Sequence, residues 1–214
     1  MITLNRKKDL EKEKMHIFEY GQKEIDYLKS KDKKLGAAID KIGIIKREIT
    51  PDPFEALISS VVGQQISSKA ADTVWNRLVE LLCNITPESI SQTDISKIQA
   101  CGMSQRKAGY ITGIAEAAIS GEVDFSLLHT MTDEEIIRKL SSLHGVGEWT
   151  AEMLLIFSLN RPDVVSYKDL AIRRGMMNLY GHKELPKERF ERYKKRYSPY
   201  GSVASLYLWA LSVL

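Results

Sequence analysis

Apolar residues recur at helical spacing along most of this chain. Ile136, Leu140 and Leu143, for example, fall on one face of a helix, and convincing period-two alternation is found nowhere in the sequence. The pattern predicts an all-α protein with short loops. It predicts helices at 53–62, 70–81, 105–119, 133–143, 150–159, 169–180, 186–197 and 201–214.

Two helix starts carry clear local signals. Thr132 and Glu135 have the spacing of a capping box, in which each side chain accepts a hydrogen bond from the other residue's amide. Asp52 followed by Pro53 is typical of a cap and the first residue of a helix.

The most informative segment is a glycine loop between two predicted helices. Leu-His-Gly-Val-Gly at 143–147 leads directly into Glu-Trp-Thr-Ala at 148–151. Gly145 and Gly147 allow a turn with positive φ and leave no Cβ to obstruct an approaching backbone. The helix that follows points free N–H groups and the positive end of its dipole at the loop, which suits a phosphate. Taken alone, such a loop is also typical of an ordinary helical hairpin.

Composition limits the function without deciding it. The 214 residues can bury a core as one domain or two small lobes, and a net charge of +3 does not by itself indicate a nucleic-acid partner. No apolar stretch reaches transmembrane length, and the charged residues 1–15 form no secretory signal and are a candidate disordered segment. Two cysteines, Cys83 and Cys101, indicate reduced thiols and exclude a four-cysteine iron–sulfur cluster within this chain.

Two stretches resemble one protein family. Residues 143–151, followed by Val-Val-Ser-Tyr-Lys-Asp-Leu-Ala-Ile at 164–172, are similar to the hairpin, glycine-rich loop and aspartate of the helix–hairpin–helix DNA glycosylase superfamily. Asp-Pro-Phe-Glu-Ala-Leu at 52–57 and Val-Val-Gly-Gln-Gln-Ile-Ser-Ser-Lys-Ala-Ala at 61–71 resemble its 3-methyladenine glycosylase branch. Together the matches span roughly residues 45–212, in the family's order.

The resemblance implies a two-lobed helix–hairpin–helix fold with the active site in the cleft between the lobes. It assigns residues 16–214 to a glycosylase domain, with 55–160 as the middle lobe and 16–54 with 161–214 as the other. The implied reaction flips a damaged base out of duplex DNA and hydrolyses its N-glycosidic bond, leaving an abasic site.

Asp169 matches the family's catalytic carboxylate. Departure of the base makes the deoxyribose oxocarbenium-like, and a carboxylate can stabilise that charge and orient the attacking water. Taken alone, an aspartate in this context is more often just a helix N-cap. Glu152 and Asp163 are predicted to face solvent, so neither is expected to act as a second acid. An N3- or N7-methylated purine already carries a positive charge and can leave without being protonated.

Trp149 stands where bifunctional relatives carry the lysine that attacks the sugar as a Schiff-base nucleophile. The next lysine along the chain is Lys168, which is expected to lie on the rim of the site. The resemblance therefore implies a monofunctional hydrolase without strand-cleaving lyase activity.

Aromatic residues are implied to line the base pocket, because electron-rich rings suit a cationic base. Trp149 and Trp209 match such positions, Met153 replaces a further aromatic residue, and Tyr27 is another candidate. Each tryptophan is otherwise typical of ordinary helical packing.

Other positions are implied to contact DNA. Gln64 and Gln65 match the plug that fills the gap left by the flipped base, with Gln65 the better candidate, although such a pair can also be a simple capping turn. The loop before residue 105 matches one that touches the opposite strand, with Arg106 and Lys107 as phosphate contacts. The predicted DNA-binding set is Gln64, Gln65, Ser67, Gly102, Ser104, Gly145, Val146, Gly147 and Thr150.

The hairpin is also a predicted site for a structural monovalent cation, Na+ or K+. As in relatives, the carbonyls of Ser141, Leu143 and Val146 could converge on the ion while the loop amides face a phosphate. No cofactor is expected for catalysis, and His144 is expected to be a surface residue without a catalytic part.

These features favour a monofunctional DNA glycosylase for alkylated purines of the 3-methyladenine and 7-methylguanine type. One alternative is a non-catalytic helix–hairpin–helix module that docks on DNA and does not need Asp169. Another is a glycosylase for oxidised or mismatched bases, which is expected to carry the lysine or an iron–sulfur cluster. A helical protein-interaction domain would explain the core but not the site.

The expected partner is double-stranded DNA containing alkylated bases, with no membrane. The protein is expected to be a monomer, cytoplasmic in a bacterium or archaeon and nuclear in a eukaryote.

Overall fold

The computed structural model describes residues 16–213, and most of them lie in helices. The charged segment 1–15, predicted as a candidate for disorder, and Leu214 lie outside the described residues. Within 16–213 the β-type pairing is confined to an isolated bridge between Ile17 and Glu48, so the prediction of an all-α protein is confirmed. In chain order the helices are α1 (Gln22–Lys31), α2 (Lys33–Ile42), α3 (Pro53–Gly63), α4 (Ser68–Leu82), α5 (Pro87–Ser91), α6 (Ile95–Ala100), α7 (Gln105–Ile119), a 3₁₀ helix (Phe125–Thr130), α8 (Asp133–Ser141), α9 (Glu148–Phe157), α10 (Leu170–Tyr180), α11 (Lys187–Tyr197) and α12 (Gly201–Leu211).

The predicted helix starts are confirmed in atomic detail. Thr132 accepts the Glu135 amide at 3.3 Å, and the Glu135 carboxylate accepts the Thr132 amide at 2.8 Å. Asp52 caps α3, accepting the first amides of that helix at 2.8 and 3.1 Å. Helix α9 begins two residues earlier than predicted, because Gly147 is its N-cap, and it also ends two residues earlier, at Phe157.

The chain divides into two compact units. Thr50–Arg161 forms one, which we call the hairpin unit, and the described residues on either side of it form the other, which we call the aspartate unit. In the hairpin unit the core is built around α7, whose face of Ala108, Ile111, Ile114 and Ala115 is buried. Helices α3, α5 and α6 pack against α7.

In the aspartate unit α10 packs against α12 without room for a side chain at Gly175. A Cβ at Gly175 would lie 1.9 Å from the carbonyl oxygen of Leu208. The glycine therefore sets the distance between the two helices.

A buried carboxylate joins three elements of the same unit. Asp32 caps α2, accepting two amides of its first turn at 3.0 Å, and also accepts hydrogen bonds from the Tyr180 hydroxyl and the Arg196 guanidinium. Burial raises the pKa of Tyr180, and the neighbouring Tyr197 and Asp32 add to the effect. The hydroxyl therefore keeps the proton that it donates.

Both cysteines are free thiols, as predicted, with Cys83 exposed and Cys101 buried. Burial raises the pKa of the Cys101 thiol. None of the helices between residues 16 and 213 has the length and apolar character needed to cross a membrane.

We predict that alanine substitutions at two helical glycines have opposite effects. Gly175→Ala should destabilise the protein by about 2 kcal/mol or more, because its Cβ overlaps a main-chain oxygen that belongs to another helix. Gly109→Ala, in α7 with no atom within 4 Å of its added Cβ, should stabilise by about 0.5–1 kcal/mol. Chemical denaturation of both variants checks this; equal shifts of the same sign would contradict the packing described.

Candidate functional site

Asp169 is a buried N-cap in the aspartate unit. It is 6% exposed and directly precedes α10, and its carboxylate accepts the Ile172 amide at 2.8 Å. The structure therefore confirms the predicted cap and fixes the carboxylate at the positive end of a helix.

The segment that leads to Asp169 is held from α12. The Ser202 hydroxyl accepts the Val164 amide at 2.9 Å, and the Ser205 hydroxyl donates to the Val164 carbonyl at 2.8 Å. Val164, Val165 and the serines of α12 are buried. The main chain before Asp169 is thus part of a packed core, although it has no regular secondary structure.

The prediction that Glu152 and Asp163 face solvent is wrong for both residues. Glu152 is only 9% exposed, because α9 is buried on almost all sides. Asp163 is half-buried and accepts hydrogen bonds from the Ser198 hydroxyl and, at 3.0 Å, from the Gly201 amide. Asp163 therefore anchors the start of α12. A purely helical hydrophobic pattern did not reveal either environment.

The glycine hairpin lies in the other unit, between α8 and α9. Buried Leu143 and Val146 anchor it, and the Val146 amide donates to the Leu143 carbonyl at 3.1 Å. Gly145 has φ +85°, in the left-handed region that glycine favours. Gly147 has φ −94°, so the expectation of positive φ is wrong there, because Gly147 is the extended N-cap of α9.

Gly145 also makes a close approach to α7. A Cβ at this position would lie 2.2 Å from the ring of Tyr110. Tyr110 is not among the site residues predicted from the sequence, since no local signal pairs it with a loop so far along the chain. The Tyr110 ring therefore packs directly against the turn of the hairpin.

The predicted plug residues have different environments. The Gln64 side chain donates to the Gly145 carbonyl at 2.9 Å, whereas Gln65 is exposed and has φ +58°. Lys107, predicted as a phosphate contact, donates from its ammonium to the carbonyls of Val62 at 2.8 Å and Gln64 at 2.5 Å.

These contacts bring three predicted DNA-binding segments together on the hairpin unit. A pocket of about 510 Å³ is lined by the turn at Gln64 and Gln65, which we call the plug turn, by the loop before α7 and by the hairpin. Its lining includes Gln64, Gln65, Gly102, Ser104, Arg106, Lys107, Tyr110 and Gly145. The sequence predicted most of these positions but not their mutual contacts.

Several predicted DNA-binding residues have structural roles of their own. Ser67 and Ser104 are N-caps of α4 and α7, accepting amides at 3.3 Å. Gly102 has φ +113°. Thr150 is 4% exposed in the first turn of α9, which leaves its amide rather than its side chain for a phosphate.

The candidate base-pocket residues are divided between the two units. Trp149, 39% exposed, and buried Met153 lie on α9 of the hairpin unit. Trp209 and Tyr27 belong to the aspartate unit, where the Tyr27 hydroxyl donates to the Ser198 carbonyl at 2.6 Å. That these four side chains surround one base stays a prediction.

The residues at the predicted cation site fit a monovalent ion. Ser141, Leu143 and Val146 offer main-chain carbonyl oxygens, which are hard donors. The Leu143 carbonyl accepts one hydrogen bond, from the Val146 amide, and retains a second lone pair. Among residues 16–213 there is no cluster of three or more histidine, cysteine or acidic side chains that could hold a metal ion. His144 is exposed, as predicted.

Comparisons with known proteins agree with one another. The family model for the HhH-GPD superfamily base excision DNA repair protein matches residues 58–199. The chain is 39% identical to DNA-3-methyladenine glycosylase 1 of Schizosaccharomyces pombe, over 76% of this chain and 74% of that protein. The structure of S. pombe 3-methyladenine DNA glycosylase Mag1 in complex with abasic DNA is similar, with a TM-score of 0.80, 35% identity, and coverage of 90% of this chain and 98% of that one. A DNA-3-methyladenine glycosidase from Bacillus halodurans gives a TM-score of 0.82 at 35% identity, covering 92% and 93% of the two chains.

We predict that Gly145→Ala destabilises the protein by about 2–4 kcal/mol, through its positive φ and the overlap with the Tyr110 ring. The matched variant Gly147→Ala has no atom within 4 Å of its added Cβ and should cost less than about 1 kcal/mol. Urea unfolding of the two variants measures this difference. A larger cost at Gly147 than at Gly145 would contradict the hairpin geometry.

Proposed function

The chain belongs to the HhH-GPD superfamily of base excision DNA repair proteins, and from this we propose that it is a DNA-3-methyladenine glycosylase. It releases alkylated purines from duplex DNA by hydrolysing the bond between base and sugar. The relatives that carry this name cover most of the chain, and their solved structures share its fold.

The observation that carries the proposal is the fixed, buried carboxylate of Asp169. As the base departs, positive charge develops on the deoxyribose. A carboxylate held in place beforehand stabilises that charge without reorganising, and it can orient the water that attacks the sugar. Hydrogen bonds from Ser202 and Ser205 of α12 hold the main chain at Val164, in the buried segment that leads to Asp169.

A single carboxylate suffices if the leaving base brings its own charge. Methylation at N3 or N7 makes a purine cationic, so that it departs as a neutral molecule without a proton from the enzyme. The proposed substrates are therefore 3-methyladenine and 7-methylguanine. The aromatic side chains of Trp149 and Trp209 suit the binding of such a cation.

We also propose that the reaction is monofunctional. Trp149 is the second residue of α9, and its side chain supplies no amine for a Schiff base. Lys168 is exposed, whereas the adjacent Asp169 is buried, so the two side chains meet different surroundings. Water attacks the sugar, and the product is an abasic site in an uncut strand.

The hairpin unit is proposed to bind the DNA. The amides of Gly145, Gly147 and the first turn of α9 bind a phosphate, while Gln65 fills the gap left by the flipped base. The carbonyls of Ser141, Leu143 and Val146 would hold a structural Na+ or K+ that supports the loop and takes no part in the chemistry. The protein is proposed to act as a monomer on double-stranded DNA containing alkylated bases.

We predict that Asp169→Asn slows release of methylpurines by about 100- to 1,000-fold, because the charge is lost while asparagine still caps α10. Free bases released from methylated duplex DNA are measured by chromatography, and gels run before and after alkali show whether strands are cut.

The matched control is Asp52→Asn, which makes the same change at the N-cap of α3. It should leave the rate within about twofold, since Asp52 has no place in the proposed chemistry. If Asp169→Asn binds DNA and releases bases as fast as wild type, Asp169 is only a cap and the proposal fails. Strand cuts before alkali would refute the monofunctional mechanism.

A further inference from the structure

A lysine from one helix caps the end of another at the edge of the 510 Å³ pocket. The last carbonyls of a helix have no partners within it. At the end of α3 the Lys107 ammonium supplies the missing donor, with hydrogen bonds to the carbonyls of Val62 and Gln64. Burial lowers the pKa of Lys107, which agrees with an ammonium partly withdrawn from solvent.

The residue after this cap has an unusual backbone conformation. Gln65 has φ +58°, and a non-glycine residue keeps such a φ only when its surroundings hold it there. Lys107 binds the carbonyl of the preceding residue. The Gln64 side chain reaches the other way, to the Gly145 carbonyl in the hairpin. The Gln65 side chain is therefore exposed, while the residue before it, Gln64, is held by hydrogen bonds at both its carbonyl and its side chain.

One face of α7 supports both the plug turn and the hairpin. Lys107 and Tyr110 lie three residues apart and so point to the same side of the helix. Lys107 holds the end of α3, and the Tyr110 ring lies against Gly145. The contact from Gln64 to Gly145 closes the arrangement into a ring of α3, α7 and hairpin.

We propose that Lys107 and Gln64 are positioning residues that hold Gln65 ready to enter the duplex and couple it to the phosphate-binding hairpin. This inference rests on the proposed action on duplex DNA. Gln64 is then the bridge to the hairpin and Gln65 the plug. Lys107 acts through main-chain carbonyls rather than through phosphates.

The test uses Lys107→Met, Gln64→Leu and the rescue variant Lys107→Arg. Arg106→Met is the matched control, because it removes the same charge from the neighbouring, exposed residue of the same pocket. Thermal unfolding identifies any variant whose fold is lost.

Plug insertion is read without catalysis. 2-Aminopurine next to an abasic-site analogue in duplex DNA reports on stacking, and its fluorescence is measured at saturating protein. Excision is measured in parallel, under single-turnover conditions, from a lesion in a normal pair and from the same lesion in a mispair, which needs less energy to unstack.

We expect Lys107→Met and Gln64→Leu to reduce the fluorescence change and to slow excision from the normal pair roughly tenfold, the scale of losing a buried hydrogen bond. Excision from the mispair should fall by about threefold or less, since less insertion is required there. Lys107→Arg should recover much of the loss. Arg106→Met should weaken binding and reduce its salt dependence by about one phosphate contact, with an unchanged fluorescence plateau.

The inference is overturned if Lys107→Met behaves like Arg106→Met, because Lys107 is then a phosphate contact. It is also overturned if the normal pair and the mispair lose equally, or if wild type leaves the fluorescence unchanged. A wild type that changes the fluorescence but releases no methylpurine refutes the proposed function alone.

Discussion

The hydrogen bond from the Ile172 amide to Asp169, 2.8 Å long, fixes the charge on which the proposed reaction depends. Asp169 ends a buried segment and begins a helix, so the surrounding core sets its position. Ser202 and Ser205 hold the main chain before it from a second helix. Catalysis by a charge fixed in advance needs this rigidity, because a carboxylate that moved to meet the substrate would lose part of its advantage in reorganisation.

The hairpin unit shows the same use of packing. Gly145 turns with positive φ directly against the Tyr110 ring, where any larger residue would collide. Gln64 and Lys107 add hydrogen bonds from α3 and α7 to this region. The loop that would bind phosphate and the turn that would enter the duplex therefore share one set of contacts, centred on the first turns of a core helix.

Signals that act over three or four residues were readable from the sequence. The capping box at Thr132 was predicted and is present, and the family motif pointed to Asp169, whose cap is observed. The prediction of positive φ is wrong at Gly147, because a helix N-cap needs only extended backbone. The prediction that Glu152 faces solvent is wrong, because α9 is buried on nearly every side, and helical periodicity does not show this for a single acidic residue. The contacts of Lys107 join residues far apart in the chain, and only the fold reveals them.

The central claim is that one fixed carboxylate is enough because the leaving base carries its own positive charge. It is tested most directly by single-turnover rates for 7-methylguanine and for neutral hypoxanthine, placed in the same duplex sequence. Without an acid to protonate the base, hypoxanthine should be released roughly 100-fold more slowly, the scale of a missing general acid. Release of hypoxanthine at the rate of 7-methylguanine or faster would contradict this mechanism, because it would require a group that protonates the leaving base.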